Sequence, residues 1–243
     1  MSHKIILLVC LAATVCSAAK VPIAIYYESL CPDSAKFITE QLHPAMKTEL
    51  RDVVELTFVP FGKSQYVTQG ADVTFTCHHG PNECYGNRVH ACAIEHIQAN
   101  SYQTEYTRES LTLDFINCLM RAGKNFPDNV YPGQRCAAEN HINNWENIKT
   151  CANSTDGSQL LRKAGETTMR LKEPLTGVPT ILFNEQFDKK SSDGAQVNFI
   201  GTVCKYAAAP QPRICAQHNS ASGLGVSALL GSMVGLCLLR FLY

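Results

Sequence analysis

The sequence predicts a disulfide-stapled α/β fold, and three observations predict it. An apolar, β-rich run, "VPIAIYY" (21–27), leads through "ESL" into Cys31, Pro32 and a stretch with helical spacing. A second apolar run, "VVELTFVPFG" (53–62), follows that helix, so the chain opens as strand, helix and parallel strand. Near the other end, "GVPTILFN" (177–184) reads as turn, proline and strand, and "QVNFIGTVCKYA" (196–207) closes the domain as a helix.

The remaining elements follow in order. Within "CPDSAKFITEQLHPAMKTEL", Phe37, Ile38, Leu42, Ala45 and Met46 recur at helical intervals. Pro32 suits the first turn of that helix, and Pro44 is expected to kink or interrupt it. From about Lys63 to Arg135 the chain reads as turns, cysteines and short helical patterns. "RVHACAIEHIQAN" and "SLTLDFINCLMRAG" have helical periodicity, the latter with a glycine stop. "NHINNWENIKTCANSTDGSQLLRKAGETTMRL" reads as helix, turn and helix, and no repeat or low-complexity linker interrupts it. A cysteine at the end of the first strand of a parallel strand–helix–strand unit predicts a thioredoxin-like sandwich. The expected domain spans 20–218, with an inserted cysteine-rich helical subdomain at about 63–170.

The two ends carry membrane-active patterns. A basic start, "MSHK", an apolar stretch and the small residues of "SAAK" predict a secretory signal peptide at 1–19, cleaved near Ala18 or Ala19. A buried N-terminal helix is the competing reading. At 219–243 small residues precede an almost wholly apolar tail. It reads as a GPI signal, as a transmembrane anchor from which Arg240 snorkels, or as a tail trimmed later. Charge is balanced at 21 basic and 21 acidic residues, without a basic patch, which argues against a nucleic-acid partner.

Cysteines bound the chemistry further. Cys10 and Cys16 fall in the signal peptide and Cys237 in the tail. Cys31, Cys77, Cys84, Cys92, Cys118, Cys136, Cys151, Cys204 and Cys215 remain, and a secreted chain so rich in cysteine is expected to be disulfide-bonded. The number is odd, so setting Cys31 aside as reactive leaves eight structural cysteines, whose pairing the sequence does not give. "NST" makes Asn153 an N-glycosylation acceptor and its surroundings exposed.

Cys31 sits where a strand feeds a helix, and a helix N-terminus favours the thiolate, the species that attacks a disulfide. Asp33 opposes this as a like charge. The alternative is that Cys31 forms one more structural bridge. Pro179, after Val178 and before a strand, is a candidate cis-proline beside the cysteine, or an ordinary turn proline. "CHHGPNECYGNRVHAC" (77–92) mixes cysteine and histidine, but its spacings fit no common zinc pattern. No metal is assigned, and disulfides are the expected fate of these cysteines. The eight histidines are read mostly as surface or structural residues.

That same stretch resembles the signature of the gamma-interferon-inducible lysosomal thiol reductase (GILT) family, C-Q-H-G-x2-E-C-x2-N-x4-C. Cys77, His79, Gly80, Glu83, Cys84, Asn87 and Cys92 match in register, and His78 stands where the signature has glutamine. "YYESLCPDS" resembles the family's active-site stretch and "GVPTILFN" its proline–strand stretch. The resemblance implies a thioredoxin-like fold and reduction of protein disulfides in an acidic endolysosomal compartment. It makes Cys31 the nucleophile, with Pro32, Asp33, Ser34 and Pro179 as its neighbours. The chain departs from the family's reductases at Ser34, which replaces the second, resolving cysteine; a hydroxyl cannot open a mixed disulfide.

Two functions follow. One is a thiol oxidoreductase acting on disulfide-bonded proteins, lysosomal, endosomal or secreted. It has no bound cofactor and takes an external thiol such as cysteine or glutathione as reductant. The other is a catalytically weak or inactive binding protein, secreted or on the cell surface, that keeps the stapled fold.

Overall fold

The computed structural model describes residues 19–70, 72–123 and 131–218. Residues 1–18 of the expected signal peptide (1–19) and the tail at 219–243 lie outside the described residues. Within the described residues no helix is long and apolar enough to cross a membrane.

Strand β1 (Val21–Tyr27) is central. It pairs in parallel with β2 (Val54–Pro60), from Val21 opposite Val54 to Tyr27 opposite Pro60. On its other edge it runs antiparallel to β5 (Thr180–Phe183), with Ile23 opposite Phe183 and Tyr26 opposite Thr180. Alternating side chains divide the two faces. Ile23, Ile25 and Tyr27 point into the larger core with Phe37, Leu42, Ile116, Ile181 and Phe199, whereas Tyr26 packs with Val59, Leu182 and Ala164 on the opposite face. A sheet buried on both faces explains why β1 reads as a nearly unbroken apolar run.

The connection from β1 to β2 is helical. Helix α1 (Pro32–Lys36) passes into a π-helical turn at Phe37–Leu42 and then into α2 (His43–Met46). The amide of His43 bonds to the carbonyl of Ile38, five residues back. The expected interruption at Pro44 thus takes the form of a widened turn just before a proline that has no N–H to donate. Asp114 clamps α2 to the helical layer, accepting from His43 Nε2 at 2.8 Å and Lys47 Nζ at 2.6 Å. Burial pushes the Asp114 carboxyl upward, but these two hydrogen bonds outweigh it and hold the group below its ordinary range.

After β2 comes a hairpin of β3 (Gln65–Gln69) and β4 (Asp72–Thr76), with Tyr66 opposite Phe75. Among the described residues five helices follow: α3 (Pro81–His96), α4 (Arg108–Ala122), α5 (Gly133–Glu139), α6 (Trp145–Ala152) and α7 (Thr155–Met169). A Thr107–Ser110 capping box starts α4 and Gly123, at φ 63°, ends it. Helices α3 to α6 enclose a second core, built on Val89, Ile97, Phe115, Leu119 and Ile148. Two disulfides, Cys92–Cys151 and Cys118–Cys136, staple it. Cys77–Cys84 ties β4 to the start of α3, and Cys204–Cys215 closes the end of the domain behind α8 (Lys189–Val197) and α9 (Phe199–Val203). All eight cysteines expected to be structural are therefore paired, and Cys31 is free.

Candidate active site

Cys31 is the N-cap of α1, at the end of the turn that leaves β1. Its amide donates to the Glu28 carbonyl at 3.3 Å, and its carbonyl accepts from Ala35 N at 2.9 Å. The side chain is only 6% exposed, and its Sγ lies 3.7 Å from the carbonyl oxygen of Val178. Val178–Pro179 is a cis peptide, and the next residue begins β5. The fold thus brings together a cysteine and a proline 148 positions apart in the sequence, across the β1–β5 edge.

Ser34 occupies the third helical position, one turn from Cys31 on the same side of the helix. It is completely buried, and its Oγ has no hydrogen-bond partner among the described residues. Pro32 and Asp33, by contrast, are exposed at the first turn. Asn153 is exposed just past α6, where its sequon is open to solvent.

The stretch 77–92 has a structural task that its composition alone did not disclose. The Ser29 amide donates to Asn87 Oδ1 at 2.8 Å, and Ser29 Oγ donates to the Glu83 carbonyl at 3.2 Å. Gly86 lets α3 approach this closely, since a Cβ there would stand 2.5 Å from Ser29 Oγ. Glu83 accepts from the His79 amide at 2.9 Å and from His79 Nδ1 at 2.5 Å. His90 accepts or donates between Tyr27 Oη at 2.9 Å and Tyr131 Oη at 3.1 Å. Burial pushes the His90 imidazole down to about 3, so it is held neutral, and burial raises both tyrosines. The first half of α3 is in effect a buttress for the turn that presents Cys31.

Sequence reasoning missed Glu28. It is fully buried three residues before Cys31, with Oε1 accepting from Lys63 N at 2.7 Å. Its Oε2 lies 3.5 Å from His78 Nδ1 and 3.3 Å from His79 Nδ1. A carboxylate between two strands' ends, 50 or more positions from its histidines, leaves no local pattern in the sequence. Gly62 makes room for it: at φ 58° the residue is left-handed, and a Cβ would stand 2.3 Å from Glu28 Cγ. Gly62→Ala is expected to displace the Glu28 carboxylate and cost about 1–2 kcal/mol, from backbone strain and the lost hydrogen bond together. Denaturant unfolding of the two proteins measures it; equal midpoints would show that the carboxylate is not held this way.

Comparison with known proteins shows the chain's family. The model of the family described as "Gamma interferon inducible lysosomal thiol reductase (GILT)" matches residues 22–140. GILT-like protein 1 of Drosophila melanogaster is 79% identical, over 100% of both chains. The chain belongs to the GILT family. A gamma-interferon-inducible lysosomal thiol reductase-like protein of Anopheles gambiae is 50% identical over 94% of each chain. Among solved structures, oxidised BdbD from Bacillus subtilis superposes with a TM-score of 0.49 at 15% identity, covering 74% of this chain and 88% of that one. GILT is by name a thiol reductase family, and this member carries its fold in thioredoxin-like form: parallel β1 and β2, a helix opened by cysteine, and a cis-proline entering an antiparallel strand. The GILT signature can now be assigned physically. Cys77 and Cys84 bond to each other, Cys92 bonds to Cys151, Glu83 holds His79, and Asn87 holds Ser29.

Proposed function

We propose that this GILT protein is a one-thiol disulfide reductase with Cys31 as its nucleophile. The observation that carries the proposal is the position of the free thiol: it caps a helix, faces the carbonyl before a cis-proline, and has a buried serine where a second thiol would act. As a thiol, Cys31 donates to Val178 O. After ionisation the sulfur has no proton to give that carbonyl, and the amides of the helix start are the donors available to it.

The chemistry has two halves. The Cys31 thiolate attacks one sulfur of a substrate disulfide; a Cys31–substrate bond forms, the substrate S–S bond breaks, and the displaced sulfur leaves as a thiolate that takes a proton. Ser34 cannot perform the second exchange. An external thiol such as cysteine or glutathione attacks the mixed disulfide and frees the reduced substrate. A second equivalent then restores Cys31 and leaves as the oxidised dimer. Overall, two external thiols are oxidised for each substrate disulfide reduced. We place this activity in the endolysosomal or extracellular space, in keeping with the family's name.

The test is reduction of a disulfide-bonded protein by the full chain, secreted with its four bridges intact. Wild type is expected to turn over with added cysteine or glutathione, and without it to stop as a covalent mixed disulfide, visible as a mass increase under non-reducing conditions. Cys31→Ser is expected to do neither. Should wild type and Cys31→Ser behave alike with thiol present, the reductase reading fails and the scaffold acts by binding.

A further inference from the structure

We propose that Glu28, His78 and His79 form a divalent-metal site, with zinc as the ion best matched to it. The donor atoms are Glu28 Oε2, His78 Nδ1 and His79 Nδ1, and all three lie within 4.8 Å of one another. The histidine nitrogens stand 3.5 Å and 3.3 Å from the carboxylate oxygen. A tetrahedral zinc ion with bonds of about 2.0–2.1 Å separates its ligands by about 3.3–3.4 Å, so two edges of the polyhedron are already in place.

Glu28 Oε2 supplies the independent observation. It is completely buried and, unlike Oε1, has no hydrogen-bond partner among the described residues. A buried carboxylate oxygen left in this condition calls for a cation. His79 Nδ1 is shared with Glu83, whose Oε2 lies 2.5 Å away. When His79 gives its Nδ1 lone pair to an ion, the Nδ1 proton leaves to solvent, that hydrogen bond is lost, and a water molecule takes the fourth position. His78 is half exposed, so an ion can enter from solvent on that side.

The donors are also held before any ion arrives. His78 and His79 follow Cys77, which is bridged to Cys84, and Glu28 is fixed by Lys63 N. The cysteines of 77–92 play no part as ligands, which is why their spacing resembles no zinc pattern. His78 is also the position at which the stretch 77–92 departs from the GILT signature it resembles. Because the Glu28 carbonyl accepts from Cys31 N, an ion here braces the turn that carries the thiol.

The experiment uses the full, disulfide-intact chain carrying Cys31→Ser, so that the free thiol cannot serve as a ligand. The protein is loaded with zinc, dialysed and assayed for metal content, and separately titrated with cobalt(II), whose visible absorption reports four-coordination. One zinc per chain and a four-coordinate cobalt spectrum are expected. Loss of even an outer-shell partner of a metal site costs about 10–100-fold in affinity, so His78→Gln is expected to weaken zinc binding by at least that much. His79→Gln and Glu28→Gln should do the same. Since His78 is half exposed, His78→Gln folds normally by circular dichroism and is the deciding variant. A Cys31→Ser chain that retains no zinc, or one with His78→Gln added that retains it as tightly, overturns the site.

Discussion

A Ser34→Cys variant in its reduced form releases fully reduced substrate in a single turnover without any added thiol. Wild type is expected to stop at the mixed disulfide. The release step should be roughly a hundredfold or more faster than release from the wild-type adduct by about millimolar glutathione, because a thiol fixed in place acts at an effective molarity far above that of a free one. The geometry supports both the rate and the tolerance of the change. Position 34 is one helical turn from Cys31 on the same side of the helix, so the new sulfur stands beside the bond it must attack. The serine hydroxyl is completely buried and without a hydrogen-bond partner among the described residues, so exchanging it for a weakly polar thiol removes an unsatisfied group rather than creating one. Stability should therefore be kept or slightly raised. The electrons also balance: the two thiols of the variant become a disulfide while the substrate disulfide becomes two thiols. Rapid acid quench followed by mass analysis of substrate and enzyme reads both products. If the variant releases substrate no faster than wild type, positions 31 and 34 do not act as a pair, and attack by Cys31 at this site loses its main support.

The sheet strands and the cysteine at the strand-to-helix step were legible because both are local. The run 21–27 is apolar because β1 is covered on two faces, and the strand-to-helix step at Cys31 is written in adjacent residues. The hairpin at 65–76 was not legible as strands. Apart from Tyr66, Val73 and Phe75, its side chains face solvent, so no core-facing apolar run announces it. A faint signal was available: Tyr66 and Phe75 fall opposite one another about Gly70, among β-branched residues. Helix α8, "KKSSDGAQV", was hidden for the same reason, since only Ser192 and Ala195 are buried on it. Within the candidate site, Cys31 and Pro179 came from motifs, whereas Glu28 and the contacts of Asn87 and Glu83 with Ser29 came only from the folded chain. Those contacts join residues 54 to 58 positions apart, and periodicity carries no information at that range. The disulfide partners were hidden likewise, because the Cys92–Cys151 loop encloses the Cys118–Cys136 loop.

The His90→Gln variant is expected to flatten the dependence of stability on pH. In the folded chain the imidazole is completely enclosed between Tyr27 and Tyr131, and its affinity for a proton falls from 6.5 to about 3. Between those two values the unfolded chain binds a proton at this position and the folded chain does not. Stability from neutral burial is therefore fully present above about pH 6.5 and is lost as pH falls through that window, at about 1.4 kcal/mol per pH unit. From about pH 7 to about pH 4.5 the loss is about 2–3 kcal/mol. Asp114 acts in the same sense but below its ordinary value of 3.8, largely outside this range. Glu109, raised by burial, acts in the opposite sense. The decisive quantity is thus the difference between wild type and His90→Gln in denaturant midpoints across the range, not either curve alone. Glutamine keeps a donor and an acceptor between the tyrosines but does not titrate. The variant should be less stable than wild type near neutrality and lose less on acidification. Parallel curves would mean that His90 is reached by protons in the folded state and that the Tyr27–His90–Tyr131 contact is open.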